Sequence, residues 1–186
     1  MNQSSKIEQL ITGYFTGTVE AITTLYQREL YGQVLILIYA AIDTAGLLDA
    51  PPSQTTASGE SFKNWTKKYL LVQPNIEFDE VDLWGARCAV LHTFTSQSNL
   101  SNAGKAKELQ YYSGDKESPA AKQFVSIAKT MQGGKHLPVH YEDFLQAFFA
   151  AIRAFVHDLD ANCSSNSAYL DRLRNILQLH PVPAPL

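Results

Sequence analysis

The stretch QVLILIYAAIDTAGLL, from Gln33 to Leu48, decides the fold of this chain. Its side chains are apolar on nearly every side of a helix, and helices of that composition are buried among their neighbours. Asp43 is the single charged residue in the stretch. We therefore expect a helix from about Tyr31 or Gly32 to Leu48 at the centre of a bundle, buried from several sides that can include a dimer partner.

Amphipathic segments lie on both sides of this central helix. Apolar residues at helical spacing predict a long first helix over about residues 4–30, in which Gly13 and Gly17 indicate the close approach of another helix. A proline pair beginning at Pro51 ends the central helix. Asp79 is a suitable N-cap for a later helix, with acidic residues in its first turn. Further helices are predicted over residues 58–71, 79–94, 141–159 and 167–179.

The segment between about residues 105 and 130 carries weaker signals. It contains short runs of β-forming residues around Tyr111 and Val125, separated by a polar stretch. This pattern favours a small β-hairpin, and the alternative is a helix in the second half, opened by Pro119. The expected fold is thus mainly α, a bundle of about five or six helices in one domain over residues 1–180, followed by a Pro-rich tail over residues 181–186.

Composition limits the classes of function. The chain has 186 residues, 45% of them hydrophobic, and a net charge of −3. Such a chain can bury a core without disulfide or metal staples, and it has no global basic field for coating DNA or an acidic membrane. A small local nucleic-acid site remains compatible with this charge.

The two cysteines and the N-terminal segment indicate the cellular compartment of the protein. Cys88 and Cys163 are expected to be free thiols in a reducing compartment, with Cys163 in a polar loop. The N-terminus has no secretion-signal pattern, and the longest apolar run, residues 34–42, is too short to span a bilayer. We therefore expect a cytoplasmic protein without a membrane partner.

Arg87 and His92 are the candidate catalytic residues. They stand out on a helix whose other residues resemble core, in the sequence RCAVLH. A guanidinium binds phosphate oxygens through a fork of N–H groups, and an imidazole titrates near neutral pH. The pair therefore suits phosphodiester cleavage, with His92 as general base or acid.

This arrangement resembles the HEPN superfamily, whose helical domains carry an Arg and, after four to six residues, a His. The resemblance covers roughly residues 3–94: a long first helix, a hydrophobic second helix with the segment YAAID ending at Asp43, and then the Arg-to-His helix. It implies a homodimer in which two protomers form a composite cleft that cleaves RNA without a metal or other cofactor. It also implies Arg87 and His92 in that cleft, with Asp43 in support, and a role in toxin–antitoxin or defence systems with an antitoxin protein as a further partner.

Several alternatives remain open at this point. A second match to the spacing runs from Arg174 to His180 beside the Pro-rich tail. Cys88 stands where the family commonly has a polar residue, and Phe94 stands where some branches have a Tyr, which favours a non-catalytic dimer that binds RNA, a nucleotide or a protein. In a purely structural role, Arg87 would pair with Asp43 or Asp82 and His92 would bond a helix end.

Three lysines form a second candidate site. Lys63, Lys67 and Lys68 lie on one side of a predicted helix, either as a solvated face or as a track for RNA phosphates with Trp65 or Tyr69 stacked on a base. No metal site is predicted, because the only close histidine pair, His136 and His140, has Pro138 between its members and no zincin-type Glu.

Overall fold

The computed structural model describes residues 3–176, with the side chains of residues 7–176. The fold is mainly α, as the sequence predicts, with one two-stranded parallel sheet. The second Arg-to-His match and the tail are not covered, because His180 and residues 181–186 lie outside the described residues.

The elements in chain order are α1 (Gln3–Ile11), a π-helical turn (Thr12–Thr16), α2 (Gly17–Gln27), α3 (Tyr31–Asp49), α4 (Gly59–Trp65), a π-helical turn (Thr66–Leu70), α5 (Glu80–Thr93), α6 (Asn99–Asn102), β1 (Glu108–Tyr112), α7 (Pro119–Thr130), a 3₁₀ turn (Met131–Gly133), β2 (His136–His140), α8 (Tyr141–Ser165) and α9 (Ser167–Arg174).

The apolar helix α3 is at the centre, which confirms the prediction for residues 33–48. It packs against α2, α4, α5, α8 and α9. Gly46 allows α3 and α4 to approach each other closely, because a Cβ atom there would lie 2.7 Å from the carbonyl oxygen of Ser61 in α4. By length and composition α3 could also cross a membrane, but half of its most apolar window is buried in the fold, and core helices of soluble proteins pass the same test.

The first helix forms as predicted but contains a π-helical turn between α1 and α2. The expected close approach at Gly13 and Gly17 is wrong, because a Cβ atom at either position would meet nothing within 4 Å. Both glycines lie at or next to the π-helical turn, where one extra residue per turn changes the phase of the helix.

Both ends of α5 are fixed by specific contacts. Asp79 caps its first turn by accepting hydrogen bonds from the backbone N–H groups of Val81 and Asp82, which confirms the predicted N-cap. Phe94 ends the helix in a left-handed conformation (φ 54°), with its ring against Gly32. Gly32 leaves room for this contact, because a Cβ atom at position 32 would overlap the ring and the Phe94 side chain would have to move.

The predicted β-hairpin is wrong, and the alternative helix in its second half is correct. Pro119 opens α7, and β1 pairs instead with β2, in parallel and in register from Glu108 opposite His136. Because the Glu108 N–H donates to the carbonyl of Lys135, the backbone of Pro138 faces away from β1 and needs no N–H for pairing. A β–α–β crossover thus replaces the hairpin.

The C-terminal helices pack on the end of α3. Cys163 lies buried in α8, so the expected polar loop around it is wrong. Arg172 of α9 covers the last carbonyls of α3: Nη1 donates to the oxygens of Leu47 and Ala50 at 2.5 and 2.8 Å, and Nη2 donates to Pro51 at 2.8 Å. One guanidinium therefore satisfies acceptors that a helix end leaves unpaired.

We expect Arg172→Ala to lower the free energy of unfolding by about 2 kcal/mol, because the α3 carbonyls lose a charged donor. Arg172→Lys should recover part of this loss, since it keeps the charge without the fork. Urea unfolding followed by circular dichroism measures the effect. The control is Arg153→Ala, since Arg153 is exposed and makes no hydrogen bond or ion pair with residues 7–176; equal midpoints for the two alanine variants would contradict the role of Arg172.

Candidate functional site

The ion pair between Asp43 and Arg87 joins the central helix α3 to α5. Arg87 donates from Nε at 2.9 Å and from Nη2 at 2.6 Å, both to Oδ2 of Asp43. The Asp43 side chain is 18% exposed and the Arg87 side chain is 19% exposed. The structure therefore brings two of the three predicted catalytic residues together, and it confirms that Arg87 pairs with Asp43 rather than Asp82.

Trp84 holds the same guanidinium from another side. The Arg87 Cζ lies 4.9 Å from the centroid of the indole, one helical turn earlier on α5. The two bonds to Asp43 use Nε and Nη2 of Arg87 and not Nη1, and the neighbouring Cys88 thiol also interacts with the guanidinium through a hydrogen bond.

The electrostatics of the pair reflect its burial. Burial raises the pKa of Asp43, and the hydrogen bond and positive charge of Arg87 oppose this effect without cancelling it. Burial likewise raises the pKa of the neighbouring Cys88 thiol, so it favours the neutral form. Asp43 therefore takes up a proton at a higher pH than an exposed aspartate does, while Cys88 has no activation of the kind a nucleophilic thiolate needs.

His92 lies in a different setting near the end of α5. It is exposed, and no residue in the described part of the chain bonds its ring, so the expected contact with a helix end is wrong. It lines an open cavity of about 630 Å³ together with Trp84, Cys88 and the polar segment after α5. Arg87 does not line this cavity.

Arg87 and His92 therefore do not meet within one chain. The helix α5 remains regular through both residues, and residues five apart on a regular helix point about 140° away from each other. Arg87 faces α3, whereas His92 faces the segment after α5. A site that uses both side chains needs a second chain or a rearrangement of this helix end.

Two of the three lysines, Lys67 and Lys68, are paired with carboxylates. Lys67 pairs with Glu80 at 2.9 Å, and Lys68 lies 2.9 Å from Asp49 and 3.8 Å from Asp158. The hydrogen bond from Lys67, with a smaller effect of nearby Lys63, lowers the pKa of Glu80. The lysine face is thus locally neutralised.

Neither aromatic residue near the lysines is available for base stacking. Trp65 and Tyr69 are 1% and 4% exposed, and the Tyr69 hydroxyl lies 3.0 Å from a carboxylate oxygen of Asp49 and of Asp158, to either of which it can donate its one proton, so the stacking role predicted for them is wrong. The π-helical turn over Thr66–Leu70 shifts the phase of the helix after Trp65.

The candidate histidine pair of β2 is used within the fold. Nδ1 of buried His136 lies 2.9 Å from the side-chain amide of Gln110. His140 lies 3.0 Å from a carboxylate oxygen of Glu142 and 3.3 Å from one of Asp143. Residues 7–176 contain no cluster of three or more acidic, His or Cys side chains that could hold a metal ion.

Sequence reasoning missed Trp84 as part of the site. Its position three residues before Arg87 on one helix was the available signal, since such residues are neighbours on the helix surface. It also missed the amide side chains of the segment after α5, which the polar composition of that loop did not distinguish from an ordinary solvated loop.

Comparisons with protein families, with curated proteins and with solved structures find no match to this chain. The relationship to the HEPN superfamily therefore stays a prediction based on the Arg87-to-His92 spacing and its setting.

A double-mutant cycle tests whether Asp43 and Arg87 are coupled. We expect Asp43→Ala, Arg87→Ala and the double variant to give a coupling free energy of about 1–3 kcal/mol in urea unfolding, because both side chains are mostly buried.

The matched control is the exposed pair Lys122 and Glu117, whose atoms are 3.0 Å apart but whose side chains are 62% and 75% exposed. Its coupling should stay below about 1 kcal/mol. Equal coupling in the two pairs would show that burial does not strengthen the Asp43–Arg87 contact.

Proposed function

We propose that this protein is a metal-independent endoribonuclease that acts as a homodimer, with Arg87 of one protomer and His92 of the other in one cleft. The observation that carries the proposal is the arrangement on α5: a guanidinium anchored by Asp43 through Nε and Nη2 but not Nη1, and an exposed imidazole without a partner among residues 7–176 on another side of the same helix. A two-fold axis beside α5 would bring each Arg87 towards the His92 of the partner.

The proposed reaction is attack of the RNA 2′-hydroxyl on the adjacent phosphorus. Neutral His92 would take the 2′ proton as the 2′-oxygen bonds to phosphorus, and the imidazolium so formed would return a proton to the departing 5′-oxygen as its bond to phosphorus breaks. Arg87 would bind the phosphate oxygens and stabilise the charge that develops on them. The products are a 2′,3′-cyclic phosphate and a 5′-hydroxyl end. Such an activity suits a cytoplasmic toxin–antitoxin or defence system in which an antitoxin protein restrains it.

A partly exposed stripe on α3 supports the dimer. Ile36, Ala40 and Leu47 lie on the outer side of this helix, although the rest of α3 is largely buried. Asp43 lies at the edge of the same stripe, beside Arg87. A second copy of the chain packed there would cover apolar surface and would approach the ion pair at the same time.

The second candidate is a non-catalytic helical dimer that binds RNA, a nucleotide or a protein partner. One observation favours it: the fork of Arg87 formed by Nε and Nη2 is already engaged by Asp43, which leaves one edge for a phosphate. The departures at Cys88 and Phe94 point in the same direction. Lys67 and Lys68 would add phosphate contacts only in competition with Glu80 and Asp49.

Cleavage of total RNA in excess EDTA tests the ribonuclease proposal. We expect Arg87→Ala and His92→Ala each to lower cleavage at least about a hundredfold, because each removes one catalytic role. An equimolar mixture of the two variants, refolded together, should regain roughly a quarter of the wild-type rate, since half of the dimers would hold one intact composite cleft.

The mixture distinguishes the two geometries. If Arg87 and His92 of the same chain acted together, the mixed dimer would have no complete site and no activity would return. Cleavage that survives in His92→Ala would reject the mechanism, and wild-type protein that binds RNA without cleaving it would favour the non-catalytic candidate.

Ile36→Glu tests the dimer surface. We expect this variant to be monomeric in sedimentation velocity and to lose cleavage while its circular dichroism stays unchanged, because a charge in the stripe would be buried by the second copy. Ile127→Glu is the matched control, since Ile127 is 50% exposed on α7, away from α3. A dimer that survives Ile36→Glu would place the interface elsewhere.

A further inference from the structure

The cavity beside His92 has the properties of a binding site for an uncharged, planar ligand. Its volume, about 630 Å³, lies in the range typical of small-molecule sites. Trp84 forms part of its wall, and the side-chain amides of Gln97, Asn99 and Asn102 line it. Within residues 7–176, none of these amides has a hydrogen-bond partner.

The chemistry of the lining selects the class of ligand. No Lys, Arg, Asp or Glu lines the cavity, so it offers a phosphate no permanent positive charge, and His92 is the one side chain of its lining that can carry one. Each amide offers both donors and an acceptor, which is the combination that the hydrogen-bonding edge of a nucleobase requires. The indole of Trp84 adds apolar surface to the wall. Its position is fixed by Arg87, whose Cζ lies 4.9 Å from the indole centroid, and by Phe62, whose ring centroid lies 5.2 Å from it.

The segment that carries the amides is held in place. Ser98 and Ser101 bond each other's backbone N–H groups at 2.9 and 3.2 Å in a buried capping box at the start of α6. Gly85 allows this box to pack on α5, because a Cβ atom there would lie 3.3 Å from the Ser98 hydroxyl. Asn99 and Asn102 are therefore presented from a fixed turn, and a ligand need not order it.

We infer that this cavity binds one unpaired base of the RNA, next to the phosphodiester that His92 acts on. The inference rests on the proposed ribonuclease function, which supplies RNA as the ligand. It divides the nucleotide between the two protomers: the cavity beside His92 of one protomer takes the base, and Arg87 of the other protomer takes the phosphate. It also predicts that cleavage depends on base identity beside the cut and requires single-stranded RNA.

Binding of mononucleotides tests the cavity without any cleavage. The probes are the four ribonucleoside 5′-monophosphates, with ribose 5-phosphate as the probe that lacks a base, titrated by calorimetry into the full chain. We expect at least one nucleotide to bind and ribose 5-phosphate not to bind over the same concentrations. Asn99→Leu/Asn102→Leu should weaken nucleotide binding at least about tenfold, because the base loses its hydrogen-bond partners.

Asn64→Leu is the matched control, because Asn64 is exposed on α4 outside the cavity, and its binding should stay within about twofold of wild type. The double variant and the control both lose exposed side-chain amides. Melting temperatures equal to that of the wild type would establish that both variants keep the fold.

Three results would overturn the inference: equal binding of ribose 5-phosphate, no nucleotide binding at millimolar concentration, or unchanged binding by the double variant. Base-dependent binding by a chain that does not cleave RNA would support the cavity and reject only the nuclease. Cleavage that depends on His92 but shows no base preference, together with no nucleotide binding, would support the nuclease and reject the base-binding cavity.

Discussion

The ion pair between Asp43 and Arg87 is the constraint on which the arrangement of the site depends. A carboxylate in the most apolar helix of the chain is costly to bury without a hydrogen-bonded cation, and α5 supplies that cation. The pair fixes which side of α5 faces α3. The side chains of a regular helix keep fixed directions relative to one another. The ion pair therefore also fixes the directions of Trp84 and His92, so that the imidazole faces the cavity after α5.

The parts of the fold that the sequence predicted are those encoded by local patterns. The apolar stretch around Ile38 can be satisfied only at the centre of the bundle, and Asp79 satisfies the first N–H groups of α5 whatever lies around it. The partnership of Asp43 and Arg87 could also be proposed, since a buried carboxylate needs a partner and few cations are near in the expected order of helices. At these positions the structure favoured by the local sequence is the one that the whole fold adopts.

The predictions that failed share a different physical cause: the structure at those positions depends on residues that are distant in the sequence. The hairpin failed because the partner of β1 lies beyond α7, and nothing in the sequence around Tyr111 specifies a parallel partner at Val139. The base-stacking role considered for Trp65 and Tyr69 failed because both rings pack against Phe155 of α8, which lies far later in the chain. The cavity beside His92 depends on the fold of a polar loop, for which periodicity offers no signal.

The distribution of charge explains why recognition at this site would rely on shape and hydrogen bonds. The chain has a net charge of −3, Lys67 and Lys68 face carboxylates, and the cavity lining is neutral. An RNA ligand therefore meets little of the electrostatic attraction that usually dominates nucleic-acid affinity, and binding through Arg87 alone would depend weakly on salt. Specificity must then come from the base, because a phosphate bound by one guanidinium carries no sequence information. If the proposed dimer forms, a cavity without Lys, Arg, Asp or Glu on one protomer and a single anchored guanidinium on the other favour a selective nuclease with weak electrostatic attraction for RNA over one that degrades RNA without preference.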